Sequence, residues 1–259
     1  MSAQETQPES AQPPAVAPAS PLAEAIHSLA LDDLLRAAGD PTLTAELALA
    51  LLERADLRGE VLERLGGNRS LLKLRKVKIA LASHPKTPRH VSVPLIRQFY
   101  TFDLMKVALS PVVPADVKRT AEETLIGRLK TITLGERLTL ARQASGMIAG
   151  GLLLDSEPRI MRTALENSRL TEASVVKAVL RPEASAALIQ AVAQHAKWAC
   201  RRDVQGALLR SEHLSLARAL AFASALSAPK LREILQSSRL PARIKAELLR
   251  EKSKESSDS

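Results

Sequence analysis

Two stretches of the chain correspond when the sequence is shifted by 127 residues, which lays residues 77–121 over 204–248 without a gap. Few positions are identical, but apolar residues coincide, as Val77 does with Val204. Within each copy a second similarity recurs at about 27 residues. A unit of this length cannot bury its own apolar face and must stack on its neighbours. The repetition therefore predicts an array of stacked units.

The composition indicates what the units are made of. Only five residues are aromatic and ten are glycine, while Leu, Ala and Arg dominate. Such a chain lacks the β-formers of a sandwich or barrel and the glycine-rich loops of a Rossmann domain. Abundant strong helix formers with apolar residues at helical spacing favour helices instead. We expect an all-α protein, specifically an α-solenoid of short stacked helices with proline-marked turns.

The chain divides by composition into three parts. Residues 1–20 contain four prolines and no periodic apolar stripe, which is typical of a disordered leader. Residues 21–250 form the expected single α-helical repeat domain, with duplicated units at about 72–128 and 199–250. Residues 251–259 are polar and are expected to be a disordered tail.

A turn between two short helices is visible at residues 80–91, ALASHPKTPRHV. Pro85 cannot continue the preceding helix and disfavours helical backbone at His84. Thr87 suits the N-cap of the next helix, and Pro88 suits its first residue. The prolines are therefore expected to set helix length and turn angle.

This segment resembles the leucine-rich repeat variant, a bacterial helical repeat, with His84 where that pattern usually has Asn. The resemblance covers roughly residues 70–250, and HEAT-like repeats are similar in shape but have a longer period. It implies a curved α-solenoid that offers a surface to a partner. Some variant-repeat proteins carry a cysteine-ligated cluster, which the single Cys200 of this chain cannot hold.

Charge is unevenly distributed along the chain. Residues 1–70 hold 5 basic and 11 acidic side chains, a net charge of −6, whereas residues 71–250 hold 30 and 14, a net charge of +16. The basic part can attract anionic partners, or the acidic part can shield it. The candidate contacts to an anionic partner are Lys73, Arg75, Lys76, Lys78, Arg201 and Arg202.

Two interpretations of these cations remain open. They form one positive band if the two copies align their faces, and phosphate binding would then weaken steeply with salt. Alternatively they are a solvated face, with long basic stems covering apolar neighbours. The pattern around the first cluster also predicts an apolar stripe of Leu74, Val77 and Leu81 on the helix.

Phe99, Tyr100 and Phe102 gather three of the five aromatic residues within four positions. They are a candidate protein-contact patch, because exposed aromatic anchors dominate interface energies. The alternative is core packing at a corner between two helices. Burial decides between these possibilities.

No residue pattern predicts a catalytic, cofactor or metal site. The histidines lack metal-ligand spacing, no serine lies in a nucleophile elbow, and Cys200 is alone. The acidic pair of Asp155 and Glu157 before Pro158 is expected to cap a helix rather than to bind metal. We therefore expect a protein that is not an enzyme and holds no cofactor.

Localisation and function follow from these expectations. The first 20 residues do not have the form of a secretory signal, and no apolar run is long enough to span a membrane, so a cytoplasmic protein is expected. The predicted function is a non-enzymatic scaffold or adaptor that binds a protein. The alternative is nucleic-acid binding through the basic face of residues 71–250, and a third is a regulatory subunit of a catalytic partner.

Overall fold

A computed structural model of the chain describes residues 21–257, which contain 17 α-helices, one short 3-10 helix and no strand. The prediction of an all-α protein is confirmed for these residues. The predicted leader, residues 1–20, lies outside them. None of the described helices is both long and apolar enough to cross a membrane.

The chain divides into two compact units, with the boundary between Val91 and Ser92. The sequence analysis predicts a single domain over residues 21–250. In unit 1, α2 packs against α4 and α3 against α5. The helix that begins at Arg89 crosses the boundary. The helices up to the boundary are α1 (Pro21–Ala25), α2 (Leu31–Gly39), α3 (Ala45–Leu52), α4 (Gly59–Gly67), α5 (Arg75–Ser83) and α6 (Arg89–Ile96), with a 3-10 helix at Leu71–Lys73.

Unit 2 continues with α7 (Thr101–Leu109), α8 (Ala115–Arg128), α9 (Leu134–Gln143), α10 (Gly146–Leu152), α11 (Pro158–Leu165), α12 (Glu172–Val179), α13 (Ala186–Gln194), α14 (Arg202–Leu208), α15 (Leu216–Ser224), α16 (Ala228–Gln236) and α17 (Ala242–Ser257). Consecutive helices such as α7 and α8 pack together, and further contacts skip one helix. One series runs from α9 to α11 to α13, and the other from α8 to α10 to α12 to α14. Helices of two or three turns are marginal alone, so these packed series stabilise them.

Ser, Thr and Glu side chains begin several of the helices. The Thr133 hydroxyl accepts the Glu136 N–H, while the Glu136 carboxylate accepts the Thr133 N–H at 2.9 Å, which is a capping box. At α11 the Glu157 carboxylate accepts the Arg159 N–H, and Pro158 is the first helical residue. The predicted capping role is therefore confirmed for Glu157, whereas the Asp155 carboxylate accepts the Glu157 N–H in the turn before the helix.

A recurring turn ends many of the helices. A polar side chain just after the helix accepts the backbone N–H two residues later, and His84 does this for Lys86 as Asn167 does for Arg169. His84 thus takes the role of an asparagine in the turn, although its residue type differs. The side chains with this bond are Ser28, Asp40, His84, Asp155, Asn167, His195, Ser211 and Ser238.

Several turn side chains also reach the preceding pair of helices. Asn167 Nδ2 donates to the Ala141 carbonyl at 2.8 Å, and His84 Nε2 lies 3.1 Å from the Arg54 carbonyl oxygen. Because His84 Nδ1 accepts a hydrogen bond, its Nε2 carries the proton that is donated. These bonds satisfy carbonyls at helix ends and tie each turn to the one before it.

Helix starts follow the 127-residue shift. In the structure, that shift carries the first residues of α5, α6, α7 and α8 onto the first residues of α14, α15, α16 and α17. His84 and Ser211, which end the first helix of each set with the same hydrogen bond, are also related by it. The sequence similarity thus reflects a common register of helices and turns.

The start of α6 differs from its prediction by one residue. The helix begins at Arg89, so Pro88 precedes it and Thr87 is not its N-cap. Instead Thr87 is buried, and its hydroxyl donates to the Leu81 carbonyl at 2.6 Å. In other turns the residue just before the N-cap is a buried leucine, as Leu43 and Leu170 are. Such a side chain packs against the first turns of the helix. Thr87 occupies this apolar position.

The end of the chain also differs from its prediction. Residues 251–259 are expected to be a disordered tail, but α17 continues to Ser257. A salt bridge of 2.7 Å between Lys254 and Glu251, one turn apart, supports this extension of the helix.

A basic groove in the second unit as the candidate binding site

The first predicted basic cluster lies in unit 1. Lys73 ends the 3-10 helix, and Arg75 begins α5. Lys73, Arg75 and Lys76 are exposed, and Lys78 is partly buried. We call these four residues the α5 cluster.

The predicted apolar stripe beside this cluster is wrong at one position. Val77 and Leu81 are buried, but Leu74 is 41% exposed. Leu74 has extended backbone as the N-cap of α5, so it does not share the helix face of the other two residues. Periodicity applies only within the helix, and here the helix begins one residue later.

The second predicted cluster lies in unit 2. Arg201 is the N-cap of α14, and Arg202 is its first residue; both are exposed. The four residues of the α5 cluster lie in the other unit. The single positive band therefore stays a prediction.

Arg202 lines a groove that the sequence does not reveal. Residues of α12, α14 and α16, with the segments that follow α12 and precede α16, enclose about 1290 Å³. Gly146 helps to position this region, because a Cβ there would collide with the Arg169 carbonyl oxygen, just before α12. We call the groove the basic groove after its cations: Lys177, Arg181, Arg202, Arg210 and Lys230.

The charges on the groove wall are not balanced internally. Two carboxylates, Glu172 and Asp203, face the five cations. Among the described residues, Lys177, Arg181 and Arg202 form no ion pair. Their positive charge is therefore available to a ligand.

The remaining two cations are held in place. Arg210 Nη1 donates to the Gly206 carbonyl at 2.8 Å, and its Nε donates to the Ser237 hydroxyl at 3.1 Å. Lys230 Nζ lies 2.9 Å from Glu233. The Lys230 hydrogen bond, with the charges of Lys230 and Arg210, lowers the pKa of Glu233.

Apolar side chains share the groove with the cations. Val176, Leu180, Pro182, Leu226 and Ile234 line it, and Leu180 is 45% exposed. An exposed leucine among unpaired cations gives the groove two kinds of surface. It can bury apolar atoms and pair with anionic groups at the same time.

The candidate aromatic patch is divided between core and surface. Phe99 is 4% exposed and belongs to the core, whereas Tyr100 is 71% and Phe102 39% exposed. Backbone geometry explains the split, because Tyr100 is the extended N-cap of α7 and Phe102 lies in its first turn. The three residues do not form one exposed patch.

Potential metal ligands are scattered over the described part of the chain. No group of three or more His, Cys, Asp or Glu residues within residues 21–257 could hold a metal ion. The Cys200 thiol is exposed and lies 3.2 Å from the Lys197 carbonyl oxygen.

Comparisons with known proteins give no assignment. A scan against protein-family models found no match, and searches of curated proteins and of solved structures found none either.

Sequence reasoning missed four of the five groove cations. Lys177, Arg181, Arg210 and Lys230 are scattered along the chain and form no run of basic residues. A repeated position in the sequence could have indicated two of them. Arg181 and Arg210 are 29 residues apart, and each lies two residues after the end of a helix, α12 and α14. Arg202 is the only residue common to the prediction and the groove.

Proposed function

We propose that the protein is a non-enzymatic binding module, a scaffold or adaptor that holds a segment of another protein in the basic groove. The proposed architecture is an α-solenoid, resembling variant leucine-rich and HEAT-like repeats. Next-but-one helix packing within each unit and the common 127-residue register support it. The exposed Cys200 thiol fits a reducing compartment such as the cytoplasm.

The size and lining of the groove carry the proposal. Its volume of about 1290 Å³ exceeds the roughly 300–1,000 Å³ of small-molecule pockets. Leu180 is exposed in it beside the unpaired Lys177 and Arg181. A polypeptide segment supplies both apolar side chains and carboxylates, so it matches this lining.

The alternative function is nucleic-acid binding, and the unpaired groove cations favour it. Phosphates would pair with Lys177, Arg181 and Arg202. However, none of the described residues that line the groove is aromatic. Single strands are held by stacking bases on aromatic side chains, and Leu180 offers no such platform.

Selection of peptides from a random display library on the purified full chain tests the proposal. The groove variant Lys177→Glu/Arg181→Glu/Arg202→Glu is compared with the α5 variant Lys73→Glu/Lys76→Glu/Lys78→Glu, which carries the same charge change. We expect selected peptides to bind the native protein and the α5 variant but not the groove variant. The same proteins are titrated with mixed DNA and RNA at about 50 and 200 mM salt. Salt-sensitive nucleic-acid binding through the groove, without peptide binding, would establish the alternative.

A further inference from the structure

We infer that the segment bound in the basic groove is acidic and carries a large aliphatic side chain between its carboxylates. This inference rests on the proposed function and adds the chemistry of the partner to it. The unpaired cations of the groove support the acidic character of the segment, and the exposure of Leu180 supports its aliphatic side chain.

The acidic part follows from charge complementarity. Lys177 and Arg181 belong to α12 and the residues just after it, and Arg202 begins α14, which packs against α12. The cations therefore come from two neighbouring helices, and none of the three is neutralised within the described chain. A partner with several carboxylates pairs with both helices at once.

The aliphatic part follows from Leu180. This side chain is 45% exposed, although Leu226 and Ile234 line the same groove. Burial of apolar surface stabilises a complex in proportion to its area. A leucine or isoleucine of the partner removes Leu180 from water, which an acidic but fully polar segment cannot do.

Two other concave surfaces of the described chain lack this combination. The surface between α11 and α13 encloses about 600 Å³, and its Glu166 is paired with His195 at 3.1 Å. The surface between α2 and α4 encloses about 440 Å³ and holds Glu60 and Glu63 beside a single cation, Arg64. Neither would attract an acidic segment as the basic groove does.

Gly206 and Arg210 add a fixed element to the recognition. Arg210 is anchored to the Gly206 carbonyl and to the Ser237 hydroxyl, so little side-chain freedom remains to be lost on binding. The long side chains of Lys177 and Arg202 have no such anchor. The partner therefore meets one fixed guanidinium and a set of adaptable cations.

Fluorescence anisotropy with three short synthetic peptides tests the inference on the full chain. One peptide combines Asp and Glu with leucine, the second replaces leucine by serine, and the third replaces every acidic residue by lysine. We expect the acidic leucine peptide to bind about tenfold more tightly than the serine peptide, which has lost one buried leucine. It should bind about a hundredfold more tightly than the lysine peptide, whose charges are repelled by the groove cations. Equal binding of the serine peptide, or preference for the lysine peptide, would overturn the inference.

The groove variant supplies a readout that a folding defect cannot mimic. Because its cations become carboxylates, it should bind the lysine peptide more tightly than the acidic one, reversing the native preference. Unchanged preference in a folded groove variant contradicts the inference. If display selects basic or neutral peptides in the groove, the proposed function holds and the inference fails. If no peptide binds there, both fail.

Discussion

The two basic regions of this protein differ in how their cations are brought together. The α5 cluster places four cations within six residues, from Lys73 to Lys78, around the start of α5. The basic groove draws its five cations from residues 177–230, and three helices bring them together. The first region is dense in sequence and the second converges in space. Both regions have an exposed leucine beside their cations, Leu74 in the first and Leu180 in the second, but of the two only the second gathers them in a groove.

The largest expected effect is on binding. In the groove variant, affinity for the acidic leucine peptide should fall about a hundredfold, since three attractive charges become repulsive. In the α5 variant the affinity for this peptide should change less than about twofold, because salt screens exposed charges that lie outside the binding site. Isothermal titration calorimetry measures both. A comparable loss in the α5 variant would remove the distinction between the two regions.

Turn side chains should separate stability from binding. Asn167→Ala removes the hydrogen bonds to Ala141 and Arg169 and leaves buried groups unsatisfied, which costs about 1–3 kcal/mol of unfolding free energy. His84→Ala, in the turn after α5, should cost a similar amount, and His84→Asn should cost less. Urea denaturation followed by circular dichroism measures these changes.

Only one of these turns leads into the groove, because α12 begins five residues after Asn167. Asn167→Ala should therefore also weaken binding of the acidic leucine peptide by about threefold, while His84→Ala leaves it unchanged. Equal weakening by both substitutions would show that peptide affinity follows general stability rather than groove geometry.

A pair of similarly exposed leucines sharpens the comparison further. Leu180 in the groove and Leu74 beside the α5 cluster are 45% and 41% exposed. Leu180→Ala should weaken binding of the acidic leucine peptide about tenfold, and Leu74→Ala should have no effect. Anisotropy titrations decide this. An unaffected Leu180→Ala protein would show that the groove recognises charge alone.

The smallest expected effect concerns Glu233. Its pKa is lowered first by the Lys230 hydrogen bond and also by the charge of Arg210. Lys230→Gln should therefore raise this pKa toward its ordinary value of 4.5, and Arg210→Gln should raise it by less. Because the folded-state pKa lies below the unfolded value, the pair's contribution is present above the unfolded pKa and disappears as the pH falls through the folded pKa.

Carboxyl NMR titration of the native protein and both variants measures these shifts. A pKa of Glu233 that stays unchanged in Lys230→Gln would contradict the assignment of its cause. Asp56 of unit 1 is the internal control, because its pKa of about 2 arises chiefly from the Arg54 hydrogen bond.

Much of the local structure follows from the sequence, because short-range chemistry determines it. Helix-forming composition predicts the all-α class, and Glu157 with Pro158 predicts the start of α11. Thr87 is a position where local sequence preference gives the wrong prediction. Its type suits an N-cap, but it is buried and bonded to the Leu81 carbonyl, and tertiary packing decides that choice.

The candidate site was less predictable, because it depends on which helices become neighbours. Runs of basic residues identified Arg202 but not Lys177, Arg181 or Arg210. Phe99 and Tyr100 are adjacent in sequence, yet one is buried and the other exposed. Proximity along the chain does not determine burial or convergence at a helix end.

The most direct test of the account is to locate a bound acidic leucine peptide. The peptide carries a photo-reactive group in place of one residue, is cross-linked to the full chain, and is mapped by mass spectrometry. We expect cross-links within residues 172–182, 202–210 and 225–234, which line the basic groove. Cross-links concentrated in residues 71–83, which hold the α5 cluster, would contradict it.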